Sequence, residues 1–195
     1  GVVFGLPLTV IWIVGVTNAI NLSDGIDGLA GGMSVIIGIT LFVVALLMGR
    51  PAEAVFAISL AGAAGGFLVY NFPPATIFMG DAGALFLGFM LASISILGSV
   101  KSTATVALAV PILAMIVPIA DTLMAMLRRA IRGERIFKPD KDHVHHRLLG
   151  MGLSNRNVIY ILYTVTIVFG LIAIAIGSID QPQKAIVLML VGGLV

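Results

Sequence analysis

Cysteine is absent from the sequence, which excludes both a disulfide framework and a thiolate metal centre. Charge is nearly as scarce. Asp, Glu, Lys and Arg make up 10% of the 195 residues, whereas a soluble domain carries roughly 25%. With 59% hydrophobic residues and a mean hydropathy of +1.15, the chain reads as a polytopic membrane protein. There is no Walker-type lysine loop and no Gly-x-Gly-x-x-Gly after a strand pattern, so neither of those nucleotide folds is supported. No basic n-region precedes the first apolar run, so no cleavable signal peptide is visible, and position 1 is Gly rather than an initiator Met. The last apolar run, from Ala185, stops after 11 residues at Val195, about half the length a bilayer requires. The chain is expected to be a piece of a longer protein.

What is present is a series of long apolar runs. They lie at residues 2–20, 28–48, 54–70, 82–98, 103–127 and 158–177, and the tail from 185 begins a seventh. The expected fold is all-α: a polytopic transmembrane helical bundle of six complete spans plus a truncated seventh, forming one membrane-embedded domain over 1–195. Pro111 and Pro118 predict a kink in the fifth run. Gly28/Gly32, Gly62/Gly66 and Gly80/Ala84/Gly88 have the small-xxx-small spacing that lets membrane helices approach closely.

The few charges are placed unevenly. Arg128, Arg129, Arg132, Arg135, Lys138, Lys141, Arg147 and Arg156 put 8 of the 11 basic residues in the loop 128–157. The positive-inside rule makes that loop cytoplasmic. Alternation then places the breaks at 21–27 and 71–81 on the same side, and those carrying Arg50, Lys101 and Lys184 on the other. Asp24, Asp27, Asp81, the three histidines and the end of the run bearing Asp121 are thus expected at one face.

Each element of that face has more than one reading. Asp24 and Asp27 would share a helix face and repel unless a cation or a ligand's donors hold them, or Asp24 simply caps the next helix. Asp81, flanked by Gly80 and Gly83, is either a helix cap or a hard oxygen ligand for Mg²⁺ beside a phosphate. Phe78 can stack on a base or anchor at the interface. His143, His145, His146 and Arg147 follow Asp140-Lys141-Asp142. They suit a pyrophosphate or lipid phosphate better than zinc, and a solvated juxtamembrane loop is the plain alternative. Asp121 is a packing residue paired with Thr or Arg, or part of the site. Together these groups point to a metal-dependent reaction on a phosphorylated substrate at the membrane surface.

The motifs Asn18-Ala-Ile-Asn21-Leu22-Ser-Asp24-Gly-Ile-Asp27-Gly-Leu-Ala, Asn71 to Gly83, and Asp140-Lys-Asp-His143-Val-His145-His146-Arg147-Leu carry a resemblance. The chain resembles the polyprenyl-phosphate N-acetylhexosamine-1-phosphate transferases, and its His-x-His-His-Arg-Leu form is similar to the WecA/TagO branch rather than the MraY branch. The resemblance implies Mg²⁺-dependent (or Mn²⁺-dependent) transfer of a sugar-1-phosphate from a UDP-sugar to undecaprenyl phosphate, with UMP released. GlcNAc is the expected sugar. It implies a metal ligand at Asp81 and catalytic roles for Asp24, Asp27, Asp81, His143, His145 and His146. Asn18, Asn21, Leu22, Asn71, Phe78 and Arg147 are implied to bind substrate.

Expected partners are a UDP-N-acetylhexosamine, undecaprenyl phosphate, the lipid bilayer and a second copy in a homodimer, with no nucleic acid. The expected location is the bacterial inner membrane, with the site facing the cytoplasm. Two departures stand out. Ala84 occupies a position where the family commonly has serine, and the family's earlier Asp-Asp pair has no match in this chain. The chain alone is therefore expected to be inactive. A phospho-MurNAc-pentapeptide translocase, an ion transporter and a non-catalytic membrane scaffold are the rival readings.

Overall fold

In the computed structural model the described residues are 2–99, 104–133 and 143–178. Among them are eight helices and no strand: α1 (Val2–Ser23), α2 (Leu29–Leu47), α3 (Pro51–Asn71), α4 (Gly80–Ser99), α5 (Ala104–Ala114), α6 (Ile116–Ile131), α7 (Val144–Gly150) and α8 (Asn155–Ser178). Five of them, in α1, α2, α3, α4 and α8, are long and apolar enough to cross a membrane. The expected all-helical membrane bundle is therefore what the chain forms. The tail from 185 lies outside the described residues.

The fifth expected span, 103–127, is divided. Pro118 has no N–H to give the carbonyl of Ala114, and its ring crowds that carbonyl. The helix accordingly stops at Ala114, turns at Met115 (φ −112°, ψ 20°) and resumes at Ile116. The kink anticipated from the prolines thus becomes a break between two half-length helices.

The centre of the bundle is α2, which packs against α3, α8 and α4, while α1 pairs with α4 and α5 with α8. Burial covers 67% of the α2 span but only 17% of α1. Ile37, Met33 and Leu29 of α2 meet Ile20, Leu91, Ile159 and Ile176 in one continuous core. The small residues serve this packing unevenly. A Cβ on Gly88 would lie 2.7 Å from the Thr17 Cα, so α1 and α4 approach backbone to backbone there. Gly62 and Gly66 have nothing near them, so that pair makes no close helix contact among the described residues.

One end of the bundle collects the polar chain reversals. Helix α3 ends where Pro73 forces Phe72 into an extended conformation (φ −65°, ψ 139°). The chain then folds back, and the amides of Thr76 and Ile77 and the Thr76 hydroxyl all donate to the Tyr70 carbonyl. At the opposite end, the Arg50 guanidinium donates to the Leu97 carbonyl at 2.8 Å. The loop expected over 128–157 is partly helical: α6 runs on to Ile131 and α7 occupies Val144–Gly150.

Candidate functional site

The first acidic turn joins α1 to α2. Its chain reverses through the Asp24 amide donating to the Asn21 carbonyl at 3.1 Å. Helix α2 begins only at Leu29, with Gly28 before it at φ +81°, a conformation that glycine alone adopts without strain. Neither Asp24 nor Asp27 lies in the helix, and no side chain of the chain's own cap position closes it. Helix capping by Asp24 is thereby excluded, and both acids belong to the turn.

Asn71, the last residue of α3, braces this turn to the next one. Its Oδ1 accepts from the Gly28 amide at 2.9 Å, and its Nδ2 donates to the Ile77 carbonyl at 2.9 Å. It is only 2% exposed. The amide expected to face substrate is engaged at both ends within the protein. Tyr163 of α8 adds a further tie, its hydroxyl donating to the Gly28 carbonyl. Arg156 donates through Nε and Nη2 to the Pro73 carbonyl, at 3.3 and 3.0 Å.

The second acidic turn brings Asp81 alongside the first. Asn21 Nδ2 donates to Asp81 Oδ1 at 3.1 Å across 60 residues of sequence. Burial raises the Asp24 carboxyl to about 6, and the nearby Asp27 and Asp81 charges push it the same way. Phe78 and Leu22 stand exposed at the edge. Asn18 is turned back along its own helix, donating to the Val14 carbonyl at 2.7 Å. Ala84 is fully buried, so its side chain faces the packed interior.

Helix α7 lies against this arrangement. His145 is 2% exposed, and its Nε2 points at Gly25, where an added Cβ would lie only 2.1 Å away. That nitrogen has no hydrogen-bond partner. Burial, helped by His146, pushes its pKa down to about 4, so the imidazole is neutral at physiological pH. The His143 and His145 rings stack at 5.8 Å, and the His145 and His146 rings tilt at 4.3 Å. His146 and Arg147 are exposed, whereas His143 is buried against Asp121, Nδ1 to Oδ2 at 3.0 Å. Asp121 is thus paired with a histidine rather than with the Thr or Arg anticipated. Asp140, Lys141 and Asp142 lie outside the described residues.

Among the described residues, no three His, Asp or Glu side chains are gathered closely enough to hold a metal ion. A closed zinc site does not fit. Mg²⁺ behaves differently, taking one or two carboxylates and completing its shell with substrate phosphates and water. An exposed Asp81 carboxylate beside an Asp24 already burdened by like charge fits that shared mode of binding.

A family model described as glycosyl transferase family 4 matches residues 1–99, the stretch that supplies both acidic turns. The chain belongs to that family. Three relatives extend the likeness beyond residue 99. A probable undecaprenyl-phosphate N-acetylglucosaminyl 1-phosphate transferase of Bacillus subtilis is 46% identical over 172 residues, covering 88% of this chain and 48% of the relative. A decaprenyl-phosphate N-acetylglucosaminephosphotransferase of Mycobacterium tuberculosis is 42% identical, covering 80% of this chain and 43% of the relative. A phospho-N-acetylmuramoyl-pentapeptide-transferase of Staphylococcus aureus is 40% identical, covering 86% and 50%. The chain spans about half the length of the curated relatives it matches. The superfamily inferred from the motifs is the one these family 4 relatives represent.

Sequence reasoning missed Gly25, Arg156 and Tyr163 as parts of the site and left Asp121 unassigned. A carboxylate in an apolar run was a visible signal for Asp121. The partners of Arg156 and Tyr163 lie 83 and 135 residues away, and nothing local announces them.

Proposed function

We propose that the full-length protein transfers N-acetylhexosamine-1-phosphate, with GlcNAc the favoured sugar, from a UDP-sugar to undecaprenyl phosphate. An oxygen of the lipid phosphate attacks the sugar-bearing phosphorus in line. The bond to the uridine-side phosphate breaks and UMP leaves, so lipid-diphosphate-sugar forms and begins a cell-envelope polysaccharide. The site faces the cytoplasm from the bacterial inner membrane, as the arginine-rich stretch of the sequence supports.

The observation that carries this reading is the hydrogen bond from Asn21 to Asp81. It joins two distant acidic turns into one carboxylate-lined edge beneath the His145-His146-Arg147 helix. Asp81, with Asp24 beside it, would hold Mg²⁺ or Mn²⁺, which when bound neutralises the diphosphate and the charge of the leaving UMP. Asp24 and Asp27 form the wall of the donor pocket, and Phe78 offers an exposed ring on which a uracil can stack. His146 and Arg147 present donors to the incoming lipid phosphate. Asn71 holds the two turns in register rather than touching substrate.

The test is UMP release by the full-length protein with UDP-GlcNAc, undecaprenyl phosphate and Mg²⁺. Asp81→Asn is expected to lower turnover about 100- to 1,000-fold, the scale of losing a group that stabilises transition-state charge. Transfer only from UDP-MurNAc-pentapeptide would select the translocase alternative. No turnover with any UDP-sugar would refute the proposal and return the protein to the transporter reading.

A further inference from the structure

Asp121 is the buried carboxylate for which the reading above provides no task. It lies on α6, within an apolar stretch, and is 8% exposed. A carboxylate in such a place is costly unless both oxygens are paired. Both are: Oδ2 meets His143 Nδ1 at 3.0 Å, and Oδ1 accepts the Val144 amide at 2.9 Å. Val144 is the first residue of α7, and the preceding His143 provides no side-chain cap of its own. Asp121 closes the start of α7 from another helix. A helix of 7 residues has little stability by itself, so its position is set by what docks it.

We propose that Asp121 is a positioning residue for the transfer reaction: it fixes His143 with a proton on Nδ1 and pins α7 so that His145 seats on Gly25 and His146 and Arg147 stand beside the acidic turns. Docking is thus anchored at both ends of a short path. Asp121 holds His143 and Val144, and Gly25 receives His145 one residue further on. The bare α-carbon of Gly25 is what leaves room for the Nε2 edge of that imidazole against the turn. The effect on turnover rests on the transferase reading; the docking itself does not.

Asp121→Asn and Asp121→Glu in the full-length protein separate the possibilities. Asn keeps an oxygen for the Val144 amide but turns an NH₂ toward His143, which forces the imidazole proton to Nε2. Asn is expected to lower kcat about 10- to 100-fold, as loss of an orienting carboxylate does elsewhere, with KM for UDP-GlcNAc changed less than about twofold. Glu, with both oxygens retained, is expected to recover part of that loss. Hydrogen exchange over residues 144–150 should quicken about tenfold in Asp121→Asn, since hydrogen bonds to charged groups are worth at least that factor. Exchange in α2 and α3 should not change.

Unchanged exchange in α7 would overturn the proposal, as would kcat within twofold of the parent. Equal loosening of α2, α3 and α7 would also overturn it, because Asp121 would then support the fold at large. If the parent protein transfers no sugar-phosphate, the function reading falls, yet the exchange comparison still decides whether Asp121 docks α7.

Discussion

The two acidic turns look alike in sequence, each a short Asn-, Asp- and Gly-bearing break between apolar runs, yet the bundle treats them differently. The turn at 24–28 is braced from several helices: Asn71 holds its Gly28 amide, Tyr163 its Gly28 carbonyl, and His145 Nε2 abuts Gly25. The turn at 72–80 is tied at its base by Tyr70, Asn71 and Arg156 and just past its end by Asn21 to Asp81, yet Phe78 at its edge is 72% exposed. One is a fixed wall and the other a presented rim. Similar local chemistry has become two roles because α7 and α8 pack over the first turn and not over the tip of the second.

The contrast is most strongly broken at the brace shared by both turns. Asn71→Ala strands the Gly28 amide and the Ile77 carbonyl, each worth about 1–3 kcal/mol when left unpaired in the interior. A large fall in thermal stability in detergent is expected, together with loss of UDP-sugar binding. Gly25→Ala attacks the wall alone. Its Cβ would collide with His145 Nε2, so the imidazole must leave its seat, at a cost of about 1–3 kcal/mol by analogy with overpacked cores. Thermal unfolding measures this, and stability equal to the parent would show that His145 is free to move.

Titration sharpens the comparison with opposite signs. His145 has its pKa lowered from the ordinary 6.5 to about 4 in the fold, so its contribution is complete above pH 6.5 and is lost as pH falls toward 4. Asp24 has its pKa raised from 3.8 to about 6, so its contribution is present below 3.8 and lost as pH rises through 6. In cation-free protein, Asp24→Asn should therefore make the melting temperature climb more steeply from pH 4 to 6.5 than in the parent. His145→Gln should make it climb less or fall. Parallel profiles in both variants would contradict the assignment.

The smallest stability effect belongs to the rim. Phe78→Ala should change stability by less than about 0.5 kcal/mol, as exposed positions usually do, while raising KM for the UDP-sugar several-fold. A marked loss of stability with an unaltered KM would reverse the roles given to wall and rim.

Much of the fold was legible because membrane helices announce themselves by length and hydropathy. The runs at 28–48 and 158–177 became Leu29–Leu47 and Asn155–Ser178. The break at Met115 was less legible, because proline marks a disturbance without saying whether the helix bends or stops. Helix α7 was hidden in a basic stretch too short to show periodicity. Among site residues, the grouping of Asp24, Asp27 and Asp81 followed from topology alone. The burial of His143 and His145 beside an exposed His146 did not, because four consecutive positions of one motif carry no label for which face meets protein. Nor could Asn71 be told from a ligand-binding amide until both ends of its side chain were seen engaged.

The long reach of α8 has a consequence for biogenesis. Arg156 and Tyr163 emerge from the ribosome well after the segments they fasten, Pro73 and Gly28. Through insertion of the earlier helices, the carboxylate-bearing reversals wait at the membrane surface without those two restraints. Maturation of this end is therefore a late event, completed when the aromatic and guanidinium side chains of α8 arrive to lock a layout that hydropathy alone has already threaded.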